Sequence, residues 1–222
     1  MAAARTRTAG STGGTGGPDD GDGSGPPPAF RTAVAALDAV RHRPEVRLSP
    51  LPAPKRLAPF AYALEATVEY GEEDLADGRF VLLHDPDGQD SWDGTFRVVT
   101  LGRVELDPEM ASDPLLPDVT WSWLTGALEG RSVAYGAASG TVTRSGSYFF
   151  GGMADRTPQS ELEVRASWSP LRPSGRPDAV PDLAPHLAAW CDVLCLCAGL
   201  PPGPGEGGAV VPLPQRRGPH PA

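Results

Sequence analysis

The chain has 222 residues, a formal charge of −9 and 40% hydrophobic residues. An acidic balance of this kind disfavours direct binding to a phosphate backbone. No stretch approaches the roughly 18 consecutive apolar residues of a membrane helix.

The first positive charges, Arg5 and Arg7, are followed by Gly, Ser and Thr instead of an apolar core, so no signal peptide is read there. Cys191, Cys195 and Cys197 are an odd number crowded into one segment, which is no disulfide framework. They suit a reducing compartment, and a cytoplasmic protein without a membrane segment is expected. Lys55 is the single lysine among 19 basic residues, a compositional bias of the sort that GC-rich coding produces.

Residues 1–29 and 201–222 are dominated by Gly and Pro and hold too little apolar surface to offset their ordering entropy. They are expected to be disordered tails around a single α+β domain at residues 30–200, a length that suits one core. Phe30, Val34, Leu37 and Val40 recur at helical spacing and predict a helix over 30–43, stopped by Pro44. Prolines 50, 52, 54 and 59 then predict an extended connector.

From residue 61 the period changes to two, which predicts a strand over 61–70. Further strands are expected at 79–84 and 95–106, joined by a long hairpin loop carrying Pro86, Gly88 and Gly94. Asp118 is placed to cap a helix running to Glu129, with Trp121, Leu124 and Leu128 as its core stripe. Alternation returns over 138–148 and 161–168. Asp182 begins a last helix whose Leu183, Leu187, Cys191, Leu194 and Ala198 share a face. The predicted order is α-β-β-β-α-β-β-α, a two-layer sandwich of a five-stranded, mostly antiparallel sheet with helices on one face.

Sequence signals for chemistry are weak. On one helix Cys195 and Cys197 point about 200° apart, so the cysteines cannot surround one ion and no metal site is expected. The acidic loop with Asp85, Asp87, Asp90 and Asp93 lacks the closing Glu of a calcium loop. No hydrolase string and no phosphate-cradling Gly-Lys-Ser/Thr occurs, and no cofactor is expected. His84 beside Asp85, with Trp92 across the loop, is the one place where an acid–base pair could line a pocket.

Two neighbouring strands are apolar on both sides. If Phe80, Leu82, Phe96 and Val98 face the helices, Val81, Leu83, Val99 and Leu101 face away. Burying each such side chain contributes about 1.5–3 kcal/mol, so a cover is expected. It is either the proline-rich connector over 44–59 or a protein partner, self-association included. Trp123 lies about 200° round its helix from Trp121 and is a candidate anchor for the same partner.

Several strings resemble one actinobacterial family, the domain-of-unknown-function family numbered three thousand. They include Gly-Arg-Phe-Val-Leu-Leu-His-Asp-Pro-Asp-Gly from Gly78, Trp-Asp-Gly-Thr-Phe-Arg from Trp92 and Trp-Ser-Trp-Leu from Trp121. Glu-Val-Arg-Ala-Ser-Trp-Ser-Pro from Glu163 and Ala-Trp-Cys-Asp-Val-Leu-Cys from Ala189 belong with them. The resemblance spans Phe30 to Pro202 and implies no activity, cofactor or catalytic residue. The leading expectation is a non-catalytic interaction module acting through Val81, Leu83, Val99, Leu101 and Trp123. The alternatives are an enzyme or small-ligand binder at His84, Asp85 and Trp92, and an RNA-processing accessory using the basic run from Arg41 to Arg56.

Overall fold

The computed structural model describes residues 25–172 and 179–202; most of both expected tails lies outside the described residues. Pro28 opens helix α1 (Pro28–Asp38), where a missing N–H costs nothing, and Phe30, Ala33 and Leu37 are its buried positions. It stops short of the expected Arg43, and a turn closed by Val46 N–H on the Arg43 carbonyl starts strand β1 (Val46–Leu51).

That strand corrects the sequence reading: the sheet has six strands, not five. Its prolines disguised it. Pro50 pairs opposite Leu64 on an edge strand, where no second neighbour needs its missing N–H.

Strands β2 (Phe60–Tyr70), β3 (Glu73–Gln89) and β4 (Gly94–Leu106) follow as hairpins. The short α2 (Pro108–Ser112) and α3 (Leu116–Gly130) then carry the chain across the helical layer to β5 (Tyr135–Ser147) at the far edge. Strand β6 (Gln159–Pro170) returns between β5 and β4, giving the order β1-β2-β3-β4-β6-β5 with every adjacent pair antiparallel. Asp118 does not cap α3, which begins at Leu116 without a side-chain cap.

The last helix, α4 (Ala184–Cys197), is buried nearly all round, including Leu187, Trp190, Cys191 and Leu194, because it lies between the sheet and the other helices. Asp182 still accepts a hydrogen bond from the Ala184 N–H at its start.

Register explains how α4 comes so close. One cross-strand row on the helix side reads Ala66, Gly78, Gly102 and Val164, a furrow of small residues. A Cβ on Gly78 would lie 2.7 Å from Trp190 Cζ2, and one on Gly102 would lie 2.7 Å from Leu194 Cδ2. The furrow is filled by the two large side chains of α4. At the sheet's far side, Gly140 makes the same room for Trp121.

Candidate functional site

The face turned away from the helices is graded from apolar to charged. Its first row is Ala61, Leu83 and Arg97, and its second is Leu51, Ala63, Val81, Val99, Ser167 and Ser139. The third is Ser49, Glu65, Arg79, Leu101, Arg165 and Thr141, and the next brings Arg103 beside Glu163.

Val81, Val99 and Leu101 are half-buried, whereas Leu83 is 4% exposed. Of the expected connector, residues 46–51 are taken up as the edge strand β1. Glu163 accepts from both Arg103 and Arg165, at 2.9 and 2.7 Å, and those bonds hold its carboxyl below the ordinary range. Val81, Val99 and Leu101 therefore form a small apolar patch bordered by an ordered set of charges.

The expected hairpin loop is instead continued strand closed by a 3-10 turn at Asp90–Trp92. Ser169 Oγ donates to the Trp92 carbonyl and ties that turn over the end of the outer face; Trp92 is buried. Beside it Arg97 is 8% exposed and surrounded by neutral oxygens. It donates to the Ala137 carbonyl and Ser169 Oγ at 3.0 Å each, to Ser167 Oγ at 2.7 Å and to Ser139 Oγ at 3.4 Å. Ala137 has a φ of 50°, the left-handed region, at the bulge of β5. Its carbonyl thereby meets the guanidinium, which pins β4 to the two strands beyond it.

His84 sits on the opposite face from Leu83. It is 3% exposed, its ring stacks 4.1 Å from Phe96 and 5.9 Å from Phe30, and its Nδ1 donates to the Thr95 carbonyl at 2.9 Å. Burial lowers its pKa. Asp85 is the next strand residue, and successive side chains point to opposite faces. Its carboxylate already accepts from the Asp87 N–H and from Gln89 Nε2. The structure thus places His84 in an aromatic core cluster and Asp85 on the other face of β3, where its charge still acts on the ring against the effect of burial.

Trp123 is likewise separated from the outer patch. It belongs to α3 in the helical layer, is half-buried and packs against the main core. All three cysteines are buried in α4; burial first, and Cys195 second, push the Cys197 thiol up to about 12, far from a reactive thiolate. Among the described residues no three His, Cys, Asp or Glu side chains are grouped to hold a metal, and no helix is long and apolar enough to cross a membrane.

A further concavity was not legible from any single motif. A groove of about 1030 Å³ opens at the end of the sheet where β3 begins and β4 ends. Its floor includes Leu75, Leu106 and Ala198, and its walls bring together Glu73, Asp74, Glu105, Asp107 and Tyr148. The signal that could have found it is the acid-rich stretch from Glu65 to Asp118, because an antiparallel pair brings the start of one strand beside the end of the next.

These features define an α+β two-layer protein with one sheet face sealed by helices and the other open. A family model described as "Protein of unknown function (DUF3000)" matches residues 26–207, and the chain belongs to that family. No curated protein and no solved structure matches the chain.

Proposed function

We propose that the domain is a non-catalytic protein-interaction module that docks a partner, or a second copy of itself, on the open sheet face. The observation that carries this reading is the adjacency of Val81, Val99 and Leu101 on the side of the sheet away from the helices. An apolar centre with charged neighbours, here Arg79, Arg103, Glu163 and Arg165, is the usual anatomy of a protein interface. Trp123, on α3 in the helical layer, is left out of this reading, and the contacts of His84 with Phe96 and of Asp85 with Gln89 favour the sheet face over a pocket there.

The test is sedimentation and cross-linking of the full chain, alone and with its cell extract, against a Val81→Asp/Leu101→Asp variant. The reading predicts an association that the variant loses while its circular dichroism is unchanged. Identical behaviour of the two chains, monomeric and uncross-linked throughout, contradicts it.

A further inference from the structure

The two edges of the sheet are guarded differently. Strand β1 is six residues long and carries Pro50, which blunts that edge. Strand β5 at the other edge runs for 13 residues without a proline, and from residue 137 to 147 every position but Val142 is exposed. Among the described residues no backbone outside the sheet bonds to residues 139–147, so the N–H and C=O groups turned away from β6 face solvent. The single charge of the strand is turned aside, since Arg144 Nη1 donates to the Asp113 carbonyl at 2.7 Å.

The strand is also its own complement. Residues 139–147 read Ser-Gly-Thr-Val-Thr-Arg-Ser-Gly-Ser. Turned antiparallel about Thr143, Ser139 meets Ser147, Gly140 meets Gly146, Thr141 meets Ser145 and Val142 meets Arg144, so no charge opposes a like charge. Hydroxyls line the outer side, where Thr141 and Thr143 share rows with Arg165 and Glu163, and facing Thr and Ser pairs stabilise adjacent strands. Both glycines lie beneath aromatic rings: a Cβ on Gly140 would lie 2.8 Å from Trp121 Cζ3, and one on Gly146 would lie 3.5 Å from Tyr148 Cε2.

We propose that β5 pairs with β5 of a second copy, antiparallel about Thr143, so that one sheet runs through both molecules. The twofold axis stands perpendicular to the sheet and leaves both helical layers on the same side. Gly140 of each copy faces Gly146 of the other, which brings Trp121 beside the other copy's Tyr148, a ring 72% exposed in the single chain. The bulge between Gly136 and Ser139 bounds the paired run. An interface of one strand and two ring contacts is small, so the dimer depends on concentration. It makes no use of the Val81, Val99 and Leu101 patch.

Amide hydrogen exchange of the full chain, read by NMR at rising concentration, tests the pairing. An edge strand protects only the alternate amides that point at its one neighbour, whereas a paired β5 protects the whole run 139–147 as concentration rises. Thr143→Glu sets two carboxylates face to face and should weaken the dimer about fivefold in sedimentation equilibrium, with an unchanged circular dichroism spectrum. Mixing it with Thr143→Lys should restore the dimer. Alternate protection along β5 that is the same at every concentration would overturn the proposal, as would a dimer that Thr143→Glu leaves intact. A dimer lost instead in Val81→Asp/Leu101→Asp puts the contact on the open face, which overturns the edge pairing and leaves the docking reading standing.

Discussion

Trp168 Nε1 donates to His186 Nδ1 at 2.9 Å in the middle of the core, joining β6 to the first turn of α4. The bond fixes His186 as the neutral ring with an accepting Nδ1. Burial drives its pKa down to about 4 from 6.5. Because the folded value is the lower one, the stability is complete above about pH 6.5, where the unfolded chain is also neutral. It declines as pH falls from there towards 4, by about 3 kcal/mol in all.

Urea unfolding across that range should show the loss, and His186→Leu should flatten it while lowering stability at neutral pH by stranding the Trp168 N–H. His84, also lowered by burial, leaves a residual slope of the same sign. Glu45 and Glu163, held down chiefly by Arg43 and Arg165, act below their ordinary 4.5. A wild-type stability constant from neutral pH to about 4.5 would contradict this account.

The furrow beneath α4 separates two glycines that look alike in sequence. A methyl at Gly78 would meet the Leu101 carbonyl at 2.6 Å as well as Trp190, and backbone cannot step aside. A methyl at Gly102 would meet only the tip of Leu194. Gly78→Ala is expected to cost about 1–3 kcal/mol by overpacking. In Gly102→Ala the gain of about 0.5–1 kcal/mol from a stiffer unfolded chain largely offsets the strain. Equal midpoints for the two variants in denaturant would show that the close approach is not limiting.

Arg97 is expected to be a structural cation. Arg97→Ala removes charged donors from Ala137, Ser139, Ser167 and Ser169 and should destabilise by about 2–4 kcal/mol. Arg97→Lys should recover only part, because an ammonium cannot span four separated acceptors as a planar fork does. Calorimetry reads the order directly, and a lysine variant as stable as wild type would remove the geometric argument.

Period-two alternation was enough to place the central strands, and the apolar spacing was enough to place α1, α3 and α4. The edge strand β1 was not legible, because Pro50 excludes a strand only when both neighbours need its N–H, and the sequence does not say which strand is an edge. The spacing predicts a one-sided last helix, yet it is buried nearly all round, and the space for Trp190 and Leu194 comes from Gly78 and Gly102, far away in sequence. The apolar residues on the second side of β3 and β4 were legible as Val81, Val99 and Leu101. Leu83 faces the same side but is buried, which its own strand pattern does not reveal. The groove was hidden for a like reason, as the start of β3 and the end of β4 come to one end of the sheet only through the antiparallel pairing.

The open sheet face is tested most directly by covalent footprinting of its aliphatic residues. Photochemical carbene labelling of the chain, dilute and purified and again in concentrated native extract, should modify Val81, Val99 and Leu101 in the first state and spare them in the second. Labelling at Leu57 and Phe150, 54% and 79% exposed, should stay as the internal standard. Equal modification of the three residues in both states would mean that nothing docks there.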